Sequence, residues 1–154
     1  MSDVDAKLAA LGLTLPDAPA PAANYVPFVI CGTQVFISGQ ISRDARGGLI
    51  TGRLGSELDV AAGAAAAQSC ALAILAQVKA AVGGDWSRVV RAVKLVGFVN
   101  STPDFTDQPK VINGASDLLV AALGETGRHA RSAVSAVSLP LGVAVEIEAI
   151  FEIR

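Results

Sequence analysis

The sequence predicts an α+β fold, a mixed β-sheet with two helices packed on one face, in the order ββ–α–β–α–ββ. Three observations predict it. Two strand-like segments flank a glycine turn at residues 32–33, a long alanine-rich segment ends at Gly83-Gly84, and the last segment alternates apolar and acidic side chains. Helices on one side of a sheet leave its other face bare. That face must then meet solvent or a neighbouring subunit.

The N-terminal part of the chain is predicted to begin with a short amphipathic helix over 3–12, followed by a proline- and alanine-rich arm over 15–24. Proline removes a backbone donor, so the arm forms neither helix nor central strand. "YVPFVIC" and "QVFISGQI" are predicted as two strands, with Gly32-Thr33 as the hairpin turn. Residues 43–52 form a loop that has room for one short strand.

The long helix is predicted over about 57–82, with Ser56 as its N-cap, Asp59 completing a capping box, and Gly83-Gly84 as its stop. It carries no charge before Lys79, which raises the question of a membrane span. Its residues are mostly alanine and glycine with some glutamine and serine, whereas a span needs about 20 strongly apolar residues. We therefore expect a soluble helix pressed onto the sheet and no membrane partner.

The second half of the chain is predicted to supply a central strand, a helix and two more strands. The strand over 89–99 is apolar on both faces, and the helix over about 109–123 starts at Asp107 and Pro109 and stops at Gly124. "RSAVSAVS" and "VAVEIEAIFEI" are strands joined across "LPLG". Alternation along the last strand predicts a helix-facing set, Val143, Val145, Ile147, Ala149 and Phe151, and an opposite set, Ala144, Glu146, Glu148, Ile150 and Glu152.

Length and composition indicate a single domain over 1–154, in which 1–24 form the N-terminal helix and arm. Hydrophobic residues make up 52% and charged residues 17%, an apolar excess that indicates a subunit interface. The net charge of −2 and the pI of about 5.3, with scattered Lys and Arg, argue against a nucleic-acid partner. The acidic start lacks the basic region of a signal peptide.

The cysteine and histidine content argues against disulfide and metal chemistry. Cys31 and Cys70 lie far apart without a CxxC motif, so we expect reduced thiols in a reducing, cytoplasmic compartment. One histidine, His129, does not make a metal ligand set, and nothing pairs it with a nucleophile. We expect no cofactor and no metal, and we expect the His129 ring to lie in a loop, exposed or hydrogen-bonded.

A few polar side chains remain as candidates for chemistry. Arg131 heads an otherwise apolar strand, and its planar guanidinium suits a ligand carboxylate. Glu146, the next charge, could orient or deprotonate a water. Ser38 and Gln40 in "FISGQI" could supply hydrogen bonds, and Tyr25 lies where the arm enters a strand. Each candidate also has a purely structural explanation. Arg131 would be a cation at a strand end, and Glu146 would belong to a solvated face. Ser38 would belong to a β-bulge, and Tyr25 would be an aromatic residue at the rim.

Two signatures, "ANYVPFV…VFISGQIS" and "ARSAVSAVSLPLGVAVEIEAIFE", resemble the RidA family of reactive-intermediate deaminases, also called the YjgF family. The resemblance runs from about Tyr25 to Glu152. It implies a chorismate-mutase-like fold and a homotrimer with a ligand cleft between each pair of subunits. It also implies hydrolysis of small carboxylate-bearing enamine/imine intermediates, such as 2-aminoacrylate, to 2-oxo acids and ammonia without a cofactor.

The resemblance carries over residue by residue. Arg131 matches the arginine that clamps the substrate carboxylate, and Glu146 matches the glutamate that positions the attacking water. Tyr25 and Ser38 match residues of the substrate cleft. Asn113 matches a further substrate-binding residue across a segment with a small insertion, and its alternative is a polar residue on a helix face.

The chain departs from the family pattern in the strand of Arg131 and at its N-terminus. Position 133, usually cysteine, is alanine, and position 129, usually proline, is histidine. The N-terminal helix and arm exceed the shortest family members. These departures bear on the preferred substrate rather than on the class of reaction.

Three other functions remain open from the sequence. The first is a binding protein of the same fold that holds small carboxylates or 2-oxo acids without turnover. The second is a purely structural or interaction trimer, which does not explain why a charged Arg131 heads an otherwise apolar strand. The third is the endoribonuclease or translation inhibitor activity attributed to some family members, which the acidic pI and the aromatic content of 5% disfavour.

Overall fold

The computed structural model describes residues 3–18 and 24–154, and these form a five-stranded sheet with three α-helices. The helices are α1 (Asp3–Ala10), α2 (Val60–Ala81) and α3 (Gln108–Leu123). The strands are β1 (Phe28–Cys31), β2 (Gln34–Ile41), β3 (Val89–Asn100), β4 (Ala130–Ala136) and β5 (Val145–Ile153). Their order across the sheet is β1-β2-β5-β3-β4. The predicted α+β class, with a mixed sheet, is confirmed.

Strand β3 lies between the middle strand β5 and the edge strand β4, and it gives the sheet its mixed character. It pairs antiparallel with β5 and parallel with β4, while β1 and β2 form the antiparallel hairpin around Gly32. Because α3 connects β3 to β4, the two strands can run in the same direction. The loop over 43–52 makes only isolated bridges, Arg43 to Leu49 and Thr51 to Val143, in place of a short strand.

The apolar set of β5 faces the helices, as predicted. Val145, Ile147 and Phe151 are fully buried, and they pack in one core with the large apolar side chains of α2 and α3. Glu148 on the opposite face is exposed. The prediction was wrong for Ala144, which precedes the strand and is fully buried, with its N–H donating to the Ile50 carbonyl oxygen.

The N-cap of α2 is Asp59 and not Ser56. The Asp59 carboxylate accepts a hydrogen bond from the Ala62 N–H at 2.8 Å, which satisfies a donor of the first turn. Ser56 lies in a tight turn whose following N–H groups, those of Glu57 and Leu58, donate to the Arg53 carbonyl oxygen. The helix therefore begins later than predicted. Its end, followed by Gly83 at φ +64°, agrees with the prediction.

Helix α2 is the one helix of the described residues that is long and apolar enough to cross a bilayer. Half of its most apolar window is buried inside the domain.

Cys70 on this helix is fully buried, and burial raises the pKa of its thiol well above the usual range. Cys31, at the end of β1, is exposed, and both thiols are free.

Helix α1 joins the same core through its apolar side chains. Val4 and Leu8 are 8% and 2% exposed, and Asp5 of α1 pairs with Lys79 of α2 at 3.0 Å. The arm that follows lies partly outside the described residues, since 19–23 are not described. Its described residues, 15–18 and Asn24, form neither helix nor strand.

Helices α2 and α3 approach each other closely at Gly114. A methyl group added there would overlap the carbonyl oxygen of Ala64 on α2 and would also stand within 3 Å of its carbonyl carbon and Cα. On the sheet side, a methyl group at Gly97 of β3 would meet the Ile112 side chain of α3. The layer spacing thus depends on glycine at both contacts.

We expect Gly114→Ala to lower the free energy of unfolding by about 1–3 kcal/mol, because the added methyl meets backbone that cannot rotate away. Denaturant unfolding checks this. The double variant Gly114→Ala/Ala64→Gly is the control. It should stay destabilised, since the opposing atoms belong to the main chain; recovery of wild-type stability would contradict the explanation.

Candidate active site

Glu146 lies on the face of the sheet that the helices leave open. It is partly buried in β5, and it pairs with Ile41 of β2 on one side and Phe98 of β3 on the other. Its carboxylate lies directly over Gly39, where a methyl group would overlap Oε1. The missing side chain at position 39 therefore makes the space that the carboxylate occupies.

A β-bulge in β2 shapes this position. The pairing of β2 with β5 shifts between Ile37 and Gln40, so that two residues, Ser38 and Gly39, stand opposite one on β5. Gln40 is 6% exposed and donates from Nε2 to the Ser38 carbonyl oxygen at 2.9 Å. Gln40 thus supports the bulge from inside the domain and does not reach the open face.

The environment of Glu146 favours its protonated form. Burial raises the pKa of its carboxyl group above the ordinary value, and the nearby negative charge of Glu148 raises it further. A carboxylate with a raised pKa is a stronger base than one in water. A group of this kind is a candidate for proton transfer.

Ser38 holds the segment that carries Tyr25. The Ser38 hydroxyl donates to the Val26 carbonyl oxygen at 2.7 Å, and the Ser38 N–H donates to the Pro27 carbonyl oxygen at 3.0 Å. Its hydroxyl hydrogen is thus engaged, which leaves oxygen lone pairs for a ligand. Tyr25, 52% exposed, precedes β1 beside this anchor.

Arg131 lies on the other side of the sheet, where it contacts α3. Its partner in the register of β3 is Leu95, a fully buried residue of the helix-covered face. Its Nη1 donates to Ser116 Oγ at 3.0 Å, and its Nη2 donates to the Pro109 carbonyl oxygen at 3.2 Å. The guanidinium therefore stands at the margin between edge strand β4 and α3.

Asn113 belongs with Arg131. It follows Pro109 by four residues and precedes Ser116 by three, so the three residues share one stripe of α3. Asn113 is exposed on that stripe. Its amide is therefore open to solvent on the same stripe of α3 as the two groups that bond the guanidinium.

The predicted residues thus form two groups within one chain. The first, which we call the arginine half-site, consists of Arg131 and Asn113. The second, the glutamate half-site, consists of Glu146, Ser38 and Tyr25. Arg131 and Glu146 stand two strands and three register positions apart, roughly 10 Å in each direction, and on opposite faces. One chain does not bring the two half-sites together.

Two polar residues beside Arg131 were not assigned to the site from the sequence. Ser116 bonds the guanidinium, and the His129 ring bonds Ser116 Oγ through Nε2 at 3.0 Å. The expectation of a hydrogen-bonded ring for His129 is confirmed. No local signal links two residues of different elements, and the sequence predicted only a loop residue at His129.

The open face carries a shallow concavity of about 420 Å³, lined on its polar side by Ser38, Lys94 and Glu148 and on its apolar side by Val29 and Phe36. A second concavity, of about 450 Å³, lies between α1 and the end of α3 and contains none of the predicted site residues. The first concavity adjoins the glutamate half-site, because Ser38 belongs to both.

Comparison with known proteins supports the resemblance seen in the sequence. The model of the family described as "YjgF/chorismate_mutase-like, putative endoribonuclease" matches residues 5–152. Protein TCP17 of Trypanosoma cruzi is 52% identical over 152 residues, which cover 98% of this chain and 94% of TCP17. This relative is thus similar over nearly the whole of both chains.

Two crystal structures show how closely the fold agrees. A protein of unknown function from Agrobacterium tumefaciens, 50% identical, superposes with a TM-score of 0.93 over 99% of this chain and 93% of its own. The YjgF gene product of Escherichia coli, 30% identical, superposes with a TM-score of 0.62 over 90% of this chain and 94% of its own. The chain belongs to the YjgF/RidA family.

Proposed function

We propose that this protein hydrolyses small carboxylate-bearing imines and enamines of the 2-aminoacrylate type to 2-oxo acids and ammonia. The reaction takes place in clefts between the subunits of a homotrimer and needs neither cofactor nor metal. One observation carries the proposal: the Arg131 guanidinium and the Glu146 carboxylate lie on opposite faces of one sheet. A closed ring of copies can bring the arginine half-site of one chain to the glutamate half-site of the next.

Arg131 binds the substrate carboxylate in this proposal. A planar guanidinium makes two parallel charge-assisted hydrogen bonds to a carboxylate, which fix its orientation as well as its position. Asn113, on the same stripe of α3, adds an amide donor. The carboxylate lies next to the imine carbon in a 2-imino acid, so holding it also places the reacting carbon.

Glu146 activates the water in this proposal. The protonated imine carbon is the electrophile, and Glu146 accepts a proton from water as the water oxygen bonds to that carbon. The Glu146 carboxyl group then gives that proton to the nitrogen of the amino alcohol, and the C–N bond breaks. The hydroxyl proton passes back to the Glu146 carboxylate as the C=O bond forms, and the departing ammonia takes it up as ammonium. The raised pKa of Glu146 favours the first transfer, and holding both reactants together supplies most of the remaining rate gain.

The apolar side chains of the open face support assembly. Val29, Phe36 and Val134 are 53%, 41% and 45% exposed, and all three lie on the face opposite the helices. Burying them against another copy removes apolar surface from water. The same contact brings a neighbouring chain to the glutamate half-site.

The ribonuclease function named in the family description finds less support in this geometry. Three carboxylates, Glu146, Glu148 and Glu152, belong to the same face of β5. They repel a phosphate backbone, whereas nucleic-acid clefts attract it with Lys and Arg. A binding protein for 2-oxo acids would use Arg131 alone, and it leaves the placement of Glu146 over Gly39 unexplained.

We expect Arg131→Ala to lower kcat/KM for 2-aminoacrylate by about 100-fold, because charge-assisted hydrogen bonds to the carboxylate are lost. Arg131→Lys keeps the charge without the fork and should lose about tenfold. The decay of imine generated in situ is the measurement. Arg128→Ala, which removes a neighbouring exposed cation, is the matched control and should behave as wild type. Wild-type protein that leaves imine decay at the buffer rate while binding 2-oxobutyrate would establish the binding protein instead.

Mixing two inactive variants tests the division of the site between chains. Glu146→Gln and Arg131→Ala subunits, refolded together in equal amounts, should regain about a quarter of wild-type activity, since one cleft in four combines an intact half-site from each parent. Each parent refolded alone is the control. No recovery, from mixed trimers shown to have formed, would mean that both residues act from one chain.

The stability of the protein should depend on pH through Glu146. A carboxyl group whose pKa is raised by folding binds more protons in the folded state, so stability is lost as pH rises through that pKa. We expect Glu146→Gln to raise Tm at pH 7.5 by at least about 2 °C, with the difference vanishing near pH 4. Glu148→Gln, which removes only the neighbouring charge, should give a smaller rise. Parallel Tm profiles for wild type and Glu146→Gln would refute this.

A further inference from the structure

The Arg131 guanidinium is attached to α3 through two of its donors. Nη1 donates to Ser116 Oγ at 3.0 Å and Nη2 donates to the Pro109 carbonyl oxygen at 3.2 Å. A guanidinium has five N–H donors, so within the described part of the chain three of the five remain. Three donors are enough for the two-pronged contact with a carboxylate.

The hydroxyl that receives Nη1 is itself held by the histidine. His129 Nε2 lies 3.0 Å from Ser116 Oγ, and His129 Nδ1 lies 2.6 Å from the Gly127 carbonyl oxygen. A continuous hydrogen-bonded series therefore runs from a main-chain carbonyl through the imidazole and the hydroxyl to Arg131. We call it the His129–Ser116 relay.

The direction of each hydrogen bond in the relay follows from the groups that it joins. A carbonyl oxygen only accepts, so His129 Nδ1 carries a hydrogen and donates to Gly127. A guanidinium only donates, so Ser116 Oγ accepts from Arg131. In neutral imidazole the second nitrogen is an acceptor, so the Ser116 hydroxyl hydrogen points to Nε2. The relay leaves one tautomer of His129 and one orientation of the hydroxyl.

The surroundings of His129 keep the ring neutral. Burial lowers the pKa of its imidazole, the hydrogen bond to Gly127 opposes that effect, and the charge of Arg131 lowers the pKa further. Neutral imidazole is the form that accepts from Ser116. Near pH 7 the relay therefore has its donors and acceptors matched.

We propose that His129 and Ser116 are positioning residues that hold the Arg131 guanidinium in one orientation before a carboxylate binds. This rests on the proposed role of Arg131. Arginine has many rotamers, and fixing it only on binding would weaken the complex. A side chain fixed in advance avoids that loss. Proline, usual at position 129, has no side-chain acceptor, so the relay belongs to this chain's departure from the family pattern.

Two substitutions of His129 by amide side chains of equal polarity distinguish the hydrogen bond to Ser116 from a general effect of losing the imidazole ring. In His129→Gln the amide oxygen reaches about as far as Nε2 and accepts from Ser116. In His129→Asn the amide ends near the position of Nδ1 and cannot reach Ser116. We expect His129→Gln to bind 2-oxobutyrate within about twofold of wild type. We expect His129→Asn and Ser116→Ala each to lose about three- to tenfold, the value of one neutral hydrogen bond.

Calorimetric titration of 2-oxobutyrate into the full-length variants is the measurement, with Tm as the check on folding. The double variant His129→Asn/Ser116→Ala should lose no more than either single variant, because both act through one contact to Arg131. Equal affinity of the Asn and Gln variants, or additive losses in the double variant, would overturn the relay.

Failure of the relay is distinguishable from failure of the proposed function. If Arg131→Ala loses affinity and His129→Asn does not, the proposed role of Arg131 in carboxylate binding stands and the relay falls. If Arg131→Ala binds 2-oxobutyrate as well as wild type does, both fall. The ¹⁵N–¹H signals of the Arg131 guanidinium give a readout without ligand. We expect slowed rotation in wild type and His129→Gln and faster averaging in His129→Asn, and identical signals in all three would also overturn the relay.

Discussion

The sheet is covered by helices on one face only, and the position of each polar group in the candidate site depends on that constraint. Alternate residues of a strand point to opposite faces, so β5 sends Val145 and Ile147 into the core and leaves Glu146 between them on the open side. In β4 the same alternation turns Arg131 toward α3. The domain thus separates its cation from its carboxylate by one layer of sheet.

The same layering explains why glycine stands where the chain needs close contact. Gly39 leaves room for the Glu146 carboxylate above the sheet, and Gly97 and Gly114 let α3 approach β3 and α2 below it. On the open face, partial burial raises the pKa of Glu146, and the negative charge of Glu148 raises it further. The raised pKa of this carboxyl group thus arises from ordinary packing and from the charge of a neighbour.

Most elements of the fold could be predicted from local patterns, because glycine pairs and alternation act over a few residues. Gly83-Gly84 marked the end of α2, and β5 showed its buried face. Strand order could not be predicted, since the parallel pairing of β3 with β4 depends on how α3 packs. The N-cap prediction failed at Ser56 because a turn closing on Arg53 delays the helix. The site residues could be predicted from motifs, but the face of the sheet on which each one lies depends on the strand register. The hydrogen bond between His129 and Ser116 could not be predicted, because it joins residues of different elements.

The two cysteines differ in a way that concerns reagents rather than substrates. Cys70 lies inside the core with its pKa raised, so it stays a protonated thiol, which neither an alkylating agent nor an oxidant attacks readily. Cys31 stands exposed at the turn of the β1–β2 hairpin. The folded chain therefore offers a thiol-directed dye one attachment point. Fluorescence from that point reports on the hairpin beside the open face without any engineered residue.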